Sequence, residues 1–216
     1  MKRVWVLMLI VSLCLAACGG AALCEAAPGA MSAEETLQAG KDAEQAEDYD
    51  KAMEYYQLAA EQGNAEAQWL VGELYYYGNG VEQSYEKALE CFQQAADMGN
   101  LRAVNSVGYM YLVGEGVAQD KEKALEYLQR AADQGEIRAM RNLGWAYSSG
   151  EGVEQDAEKA FEYYRMAADT GDAESLAYVG YLYHFGEGVE QDYDKALECY
   201  QQAADMGYAE APVYIG

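Results

Sequence analysis

Few residues in this chain have the types and spacing that catalysis or metal binding requires. His184 is the only histidine, so any catalytic dyad or triad built on histidine would have to use it. Cys91 and Cys199 lie far apart, and the five cysteines do not show the paired spacing of a structural zinc site. The sequence therefore predicts no catalytic residue, no metal site and no cofactor, and it favours buried free thiols at Cys91 and Cys199.

A glycine-rich tetrapeptide, Gly-x-Gly-Val, could in principle surround a calcium ion or a phosphate. A calcium loop alternates carboxylates with other residues, and a phosphate loop ends in a lysine followed by serine or threonine. Neither pattern is present around these tetrapeptides. They are therefore predicted to be turns with positive φ angles at glycine and an inward-facing valine, and they lie at residues 78–81, 114–117, 150–153 and 186–189.

The turns belong to a 36-residue pattern that fills the middle of the chain and is marked by recurring Ala-Ala pairs. Each copy contains a helix A, Ala65 to Tyr77 in the first copy, and a helix B that follows a good N-cap residue. Helix A carries a glycine, Gly72 in the first copy, that predicts close helix approach. A repeat of this length predicts an all-α solenoid. The predicted helix B N-caps are Ser84, Asp120, Asp156 and Asp192.

A helix pair without the glycine-rich turn precedes the repeats. Ser32 with Glu35 three residues later is a capping-box pattern, which predicts a helix through about Ala46. Asp48 is expected to cap a second helix, Tyr49 to Gln62. Residues 32–62 are therefore predicted to form the N-terminal cap of the array.

The first residues have the features of an export signal. A basic start is followed by an apolar run, Val4 to Leu15, that is too short for a transmembrane helix. Leu15 to Gly19 resembles the lipobox of bacterial lipoproteins, which predicts a signal peptide at residues 1–17, lipidation of Cys18 and a flexible tether at residues 18–31. The alternative is an ordinary leader cut within residues 21–27, which would remove Cys18. The expected location is the bacterial cell envelope, periplasmic or at the surface.

The formal net charge of −23 limits the possible partners. Such a field repels nucleic acid and an anionic membrane surface, and no basic block offsets it. Contact with a membrane is therefore expected only through the N-terminal lipid. A protein or peptide remains the expected partner.

The landmarks within one copy, Leu143-Gly144-x-x-Tyr147-x-x-Gly150-x-Gly152-Val153 with the later Lys159-Ala160 and Ala167-Ala168, resemble the Sel1-like repeat family. The resemblance covers residues 59–216, and residues 63–216 are assigned to Sel1-like repeats. The register counts four full copies, at about 59–94, 95–130, 131–166 and 167–202, with a partial fifth at 203–216. Residues 32–62 resemble the related tetratricopeptide repeat. The resemblance implies a right-handed α/α superhelical solenoid that acts as an adaptor. Cys91 and Cys199 depart from it, because the family usually has an aromatic residue there.

When the copies are aligned in the register of tetratricopeptide repeats, helix A positions on one face form the concave wall of the solenoid. Arg102, Arg138 and Arg141 are expected to form a basic, aromatic island on this wall, suited to carboxylates, acidic peptides or sugar rings. The alternative is that Arg102 and Arg138 pair with Glu66, Glu174 or neighbouring acids of helix B, and that the aromatic residues pack between repeats. The predicted groove residues are Glu66, Trp69, Glu73, Tyr76, Arg102, Asn105, Tyr109, Arg138, Arg141, Trp145, Tyr181 and His184.

The sequence thus favours a non-enzymatic, envelope-anchored scaffold that binds a protein or peptide partner in its concave groove. Two alternatives belong to other classes. One is an enzyme of the Sel1-like group that acts on cell-wall or β-lactam material, which the missing catalytic residues disfavour. The other is a carbohydrate-binding surface protein that uses the aromatic residues Trp69, Tyr109, Trp145 and Tyr181.

Overall fold

The structure, a computed structural model, describes residues 31–208. Within this range the chain forms ten α-helices and no strand, and no helix is both long and apolar enough to cross a membrane. The predicted signal peptide, Cys18 and nearly all of the predicted tether lie outside the described residues, as do residues 209–216. The helices are α1 (Ala33–Gln45), α2 (Tyr49–Glu61), α3 (Ala65–Tyr77), α4 (Tyr85–Asp97), α5 (Leu101–Val113), α6 (Lys121–Ala132), α7 (Ile137–Ser149), α8 (Ala157–Asp169), α9 (Ala173–Phe185) and α10 (Tyr193–Asp205).

Consecutive helices pack against each other in pairs, and each pair packs on the next. The odd-numbered helices are the A helices and the even-numbered ones are the B helices. This arrangement confirms the predicted all-α solenoid of stacked helix pairs.

The helix starts follow the predicted caps. Ser32 and Glu35 form a capping box, in which the Ser32 hydroxyl accepts from the Glu35 amide and the Glu35 carboxylate accepts from the Ser32 amide at 2.9 Å. In α8 the Asp156 carboxylate accepts from the Lys159 amide at 3.0 Å. The predicted caps of α4, α6 and α10 accept in the same way. Side-chain caps therefore fix where each B helix begins.

Two glycines let the chain turn sharply between the A and B helices. Gly78 ends α3 with φ 73°, and Gly80 follows with φ 70°, both in the left-handed region. The valine that comes next, Val81, is half-buried against the core formed by α1 to α3. The prediction of positive-φ turns with an inward valine is confirmed.

Glycines inside the A helices allow the paired B helix to come close. A Cβ atom added at Gly72 would lie 2.5 Å from Cε1 of Phe92, whose side chain is 1% exposed. Added Cβ atoms at Gly108 and Gly144 would meet Leu128 and Tyr164 at 2.9 and 3.0 Å. Each of these glycines therefore has a packing reason that offsets its low helix propensity.

Candidate partner-binding face

The A helices lie side by side and are joined by polar contacts between repeats. Trp69 Nε1 of α3 donates to the Ser106 hydroxyl of α5 at 3.2 Å. Asn142 Nδ2 of α7 donates to Asn105 Oδ1 of α5 at 2.8 Å. These contacts place equivalent positions of successive repeats on one surface, which we call the A-helix face.

A cleft of about 270 Å³ opens on this face between α3, α5 and α7. We call it the Arg138 cleft. It brings together five of the predicted groove residues from three successive repeats, together with four further residues. Its lining consists of Glu73, Tyr76, Tyr77, Phe92, Asn105, Ser106, Tyr109, Met110 and Arg138.

Opposite charges from different repeats face this cleft. Glu73 of α3 is half-buried, and burial raises the pKa of its carboxyl, while the positive charges of Arg138 and Arg102 act in the opposite direction. Arg138 of α7 is exposed and makes no ion pair within the described part of the chain. Glu73 likewise has no hydrogen bond or ion pair there. The cleft therefore offers one cation and one carboxylate that are free to meet a ligand.

Three tyrosines supply most of the aromatic surface of the cleft. The Tyr76 hydroxyl donates to Oε2 of Glu115, which lies in the glycine-rich turn of the following repeat, at 2.5 Å. Burial together with this hydrogen bond raises the pKa of Tyr76. Tyr77 packs edge-on against Tyr76 at 5.0 Å and is 61% exposed. Tyr109 is half-buried, and burial raises its pKa. All three phenols stay neutral near pH 7, so they can act as hydrogen-bonding aromatic contacts.

The three arginines of the predicted island differ in their partners. Arg141 binds Glu174 and also lies 3.5 Å from Asp172, so it joins α7 to the α9 repeat. Arg102 lies 3.8 Å from Glu66 and 5.4 Å from the centre of the Trp69 ring. The alternative of internal pairing therefore holds in loose form for Arg102 and is not seen for Arg138 within residues 31–208, whereas Arg141 pairs although no such pairing was predicted for it. Of these three arginines, Arg138 is the one without an ion pair in the described part of the chain, so it supplies the available positive charge that the island requires.

Two predicted groove residues are buried and cannot supply much contact area. Trp69 is 5% exposed and Asn105 is 7% exposed, because each packs against the neighbouring repeat.

Other predicted groove residues lie away from the cleft. Trp145 is 40% exposed on α7, outside the lining of the cleft. Further along the face, Tyr181 and His184 both contact the Phe185 ring, with centroid separations of 4.6 Å. Glu66 pairs with Lys41 of α1 at 2.9 Å.

The cysteines within residues 31–208 are free and half-buried. Burial raises the pKa of the Cys91 thiol to about 11, and it raises that of Cys199 as well. These thiols are therefore protonated at neutral pH. Across the same range, no group of three or more histidine, cysteine or acidic side chains could hold a metal ion.

Sequence reasoning missed part of the site. Phe92 and Met110 are buried core residues that also line the cleft, and no pattern within a single repeat reveals this. A separate groove beside Cys91 was also missed. Its signal was present in the sequence, since Cys91 occupies a position that holds tyrosine in the two following copies.

The fold and this face define a helical-pair repeat protein, a class in which stacked units present one continuous binding surface. The Sel1 repeat profile matches residues 31–64, 65–100, 101–136, 137–172 and 173–208. The chain therefore belongs to the Sel1 repeat family, whose members generally mediate protein–protein interaction on a scaffold that is generally non-enzymatic. A comparison with curated proteins gave no significant match.

Solved structures of similar proteins support the same assignment. A Sel1 repeat protein from Oxalobacter formigenes is 30% identical, with a TM-score of 0.74 over 83% of this chain and 73% of the other. A protective antigen of uropathogenic Escherichia coli is 32% identical, with a TM-score of 0.71 over 83% of this chain and 39% of the other. An immunity protein from Pseudomonas aeruginosa is 28% identical, with a TM-score of 0.56 over 74% of this chain and 60% of the other. The chain thus spans well under half of the length of the E. coli antigen.

Proposed function

We propose that this chain is a non-enzymatic, envelope-anchored scaffold whose A-helix face binds an acidic segment of a partner protein at the Arg138 cleft. The observation that carries the proposal is the exposed guanidinium group of Arg138, which lies beside the cleft tyrosines. The surrounding chain is strongly acidic, and the Arg138 guanidinium makes no ion pair with the residues that the structure describes. It is therefore the feature of this face that favours an acidic partner.

The chemistry of the cleft suits a peptide better than a free anion. A carboxylate of the partner would accept from the Arg138 guanidinium, and a backbone amide of the partner could donate to Glu73. Tyr77 and Tyr109 would cover the segment with aromatic surface. A free anion, by contrast, has no N–H group that could donate a hydrogen bond to the Glu73 carboxylate.

Capture of a partner from envelope extract tests this binding mode. The immobilised chain is compared with Arg138→Glu and with Arg165→Glu, which makes the same change in charge at an exposed arginine of α8. We expect the partner captured by the parent to be lost with Arg138→Glu and kept with Arg165→Glu. Equal recovery with both variants would show that the cleft is not the binding site.

Envelope anchoring through Cys18 belongs to the same proposal and is supported by the lipobox-like residues 15–19 after an apolar run. We expect the parent chain to partition with membranes and to be released by detergent. The variant Cys18→Ser should instead be found in the soluble fraction. A variant that partitions with membranes as the parent does would rule out the lipid anchor and leave the cleft proposal untouched.

A further inference from the structure

Two of the helix pairs contain a stacked pair of tyrosines that the α3–α4 pair lacks. In the pair α5–α6, Tyr127 stacks on Tyr111 with ring centroids 6.0 Å apart and planes at 17°. In α7–α8, Tyr163 stacks on Tyr147 at 5.7 Å and 5°. The repeat places Tyr75 of α3 where Tyr111 and Tyr147 stand, and the position of the upper ring is taken by cysteine. The α3–α4 pair therefore has the lower ring of the stack without the upper one.

The missing ring leaves a groove of about 600 Å³ between α2, α3 and α4. Tyr75 and Val71 contribute to its lining, and Cys91 lies at its edge. Tyr75 makes no ring-to-ring contact with any residue in 31–208. Lys87 Nζ lies 5.1 Å from the centre of the Tyr75 ring, the same separation that Lys159 keeps from Tyr147. The groove thus retains the aromatic ring and the cation that surround Tyr163.

The polar partner of the missing tyrosine is also present. The Tyr163 hydroxyl donates to Gln129 Oε1 of the preceding B helix at 2.6 Å. Two repeats earlier, Gln57 of α2 stands in the place of Gln129 and lines the groove. Its side chain is exposed and makes no hydrogen bond within the described residues. The hydrogen-bond acceptor is therefore in position and unoccupied.

We propose that this groove binds a tyrosine side chain from a partner polypeptide, with the phenol ring stacked on Tyr75 and its hydroxyl donating to Gln57. The occupant is inferred from the protein itself, because Tyr147, Lys159 and Gln129 hold Tyr163 in the same way. Tyrosine is also a residue that protein interfaces favour, since it combines a large apolar surface with one polar atom.

The charges around the groove favour an unmodified phenol. Glu61 and Glu90 line it together with the single ammonium group of Lys87. A phosphorylated tyrosine would bring about two negative charges against two carboxylates. Burial keeps the Cys91 thiol protonated, so it adds no further charge and acts as a small apolar edge.

This site is separate from the Arg138 cleft. The α3 residues that line the groove are Gln68, Val71 and Tyr75, whereas those that line the cleft are Glu73, Tyr76 and Tyr77. With 3.6 residues per turn, these two sets lie on different sides of the helix. The groove proposal therefore does not rest on the function proposed for the cleft.

An NMR titration with p-cresol, which is the tyrosine side chain alone, tests the site. We expect p-cresol to shift the Val71 methyl and Tyr75 ring signals, and toluene to bind more weakly because it has no hydroxyl group. The variant Gln57→Leu should weaken p-cresol binding about five-fold, to the level of toluene, as one net hydrogen bond is lost. The matched control is Gln93→Leu, at the equivalent position one repeat later, and it should bind p-cresol as the parent does.

Two further measurements can overturn the proposal. The variant Cys91→Tyr supplies the missing ring and should abolish the p-cresol shifts, whereas Cys91→Ala should preserve them. Absence of shifts in the parent, shifts that persist in Cys91→Tyr, or equal affinity for toluene would each refute a tyrosine site. The p-cresyl phosphate ester should bind more weakly than p-cresol, and tighter binding of the ester would also count against it. The variant Arg138→Glu should leave p-cresol binding unchanged, so the two proposals can fail independently.

Discussion

Replacing Cys91 with tyrosine should stabilise the protein, because the new side chain would complete a stack whose other parts are already present. In the template pair, the Tyr163 ring lies 5.7 Å from the Tyr147 ring and its hydroxyl donates to Gln129 at 2.6 Å. An aromatic pair contributes about 0.5–1.5 kcal/mol beyond its buried area. A net hydrogen bond contributes about 0.5–1.5 kcal/mol.

The cost of fixing the new side chain is smaller than these gains. Ordering a tyrosine costs on the order of 1 kcal/mol of rotamer entropy. We therefore expect Cys91→Tyr to raise the free energy of unfolding by about 1–2 kcal/mol, since ring burial adds to the two contacts. For a chain of this size, such a gain corresponds to a rise in Tm of about 3–6 °C.

Thermal and urea unfolding followed by far-ultraviolet circular dichroism measures this gain, and amide hydrogen exchange locates it. Repeat proteins transmit stability mainly between neighbouring units, so the added exchange protection should be greatest in α2 to α4. The matched control is Cys199→Tyr. There Arg165 replaces the glutamine, and Phe161 already packs edge-on against Tyr183 at 5.2 Å. A loss of stability in Cys91→Tyr, or an equal gain in Cys199→Tyr, would refute the vacant tyrosine site.

Two other perturbations test the framework of the array. Gly72→Ala places a Cβ atom 2.5 Å from Cε1 of buried Phe92. We therefore expect urea denaturation to show a free energy of unfolding lower by about 1–3 kcal/mol, despite the better helix propensity of alanine. A variant as stable as the parent would contradict the close packing. The Asp156 cap accepts from the Lys159 amide, which holds the pKa of its carboxyl below the usual value, so its contribution to stability is present above about pH 4 and is lost as the pH falls through the lowered pKa. In Asp156→Asn, the decrease in Tm as the pH is lowered should therefore be smaller than in the parent. An equal decrease in both would show that the charge of the cap is unimportant.

The regular parts of the fold could be predicted because the residues that determine each of them recur in several copies along the sequence. The N-caps, the positive-φ turns and the helix A glycines depend on local chemistry, and a 36-residue period repeats them. The bounds of α3 agree with the predicted segment, Ala65 to Tyr77. Local rules were sufficient for these features because neighbouring units of a solenoid meet in the same way each time.

The state of the candidate site could not be predicted, since it depends on distances between different repeats. Arg102, Arg138 and Arg141 look alike in the sequence, yet Arg141 binds the α9 repeat whereas Arg138 makes no ion pair with any residue in 31–208. Trp69 was expected to line the groove and is buried instead, because its indole N–H reaches Ser106 of the next A helix. Which side chains remain available to a partner is decided by these contacts between neighbouring repeats.

Both proposed sites share helix α3, and this has a consequence for how the scaffold could work. Gly72 of α3 packs directly against Phe92 of α4, so α3 and its B partner share a close contact between the two sites. The two lining sets lie on different sides of the helix, so their occupants do not compete for space. We therefore expect a partner bound at the Arg138 cleft to leave the affinity for p-cresol unchanged. A repeat array that binds at two independent faces of one helix can hold two polypeptide segments together, which is the physical basis of an adaptor.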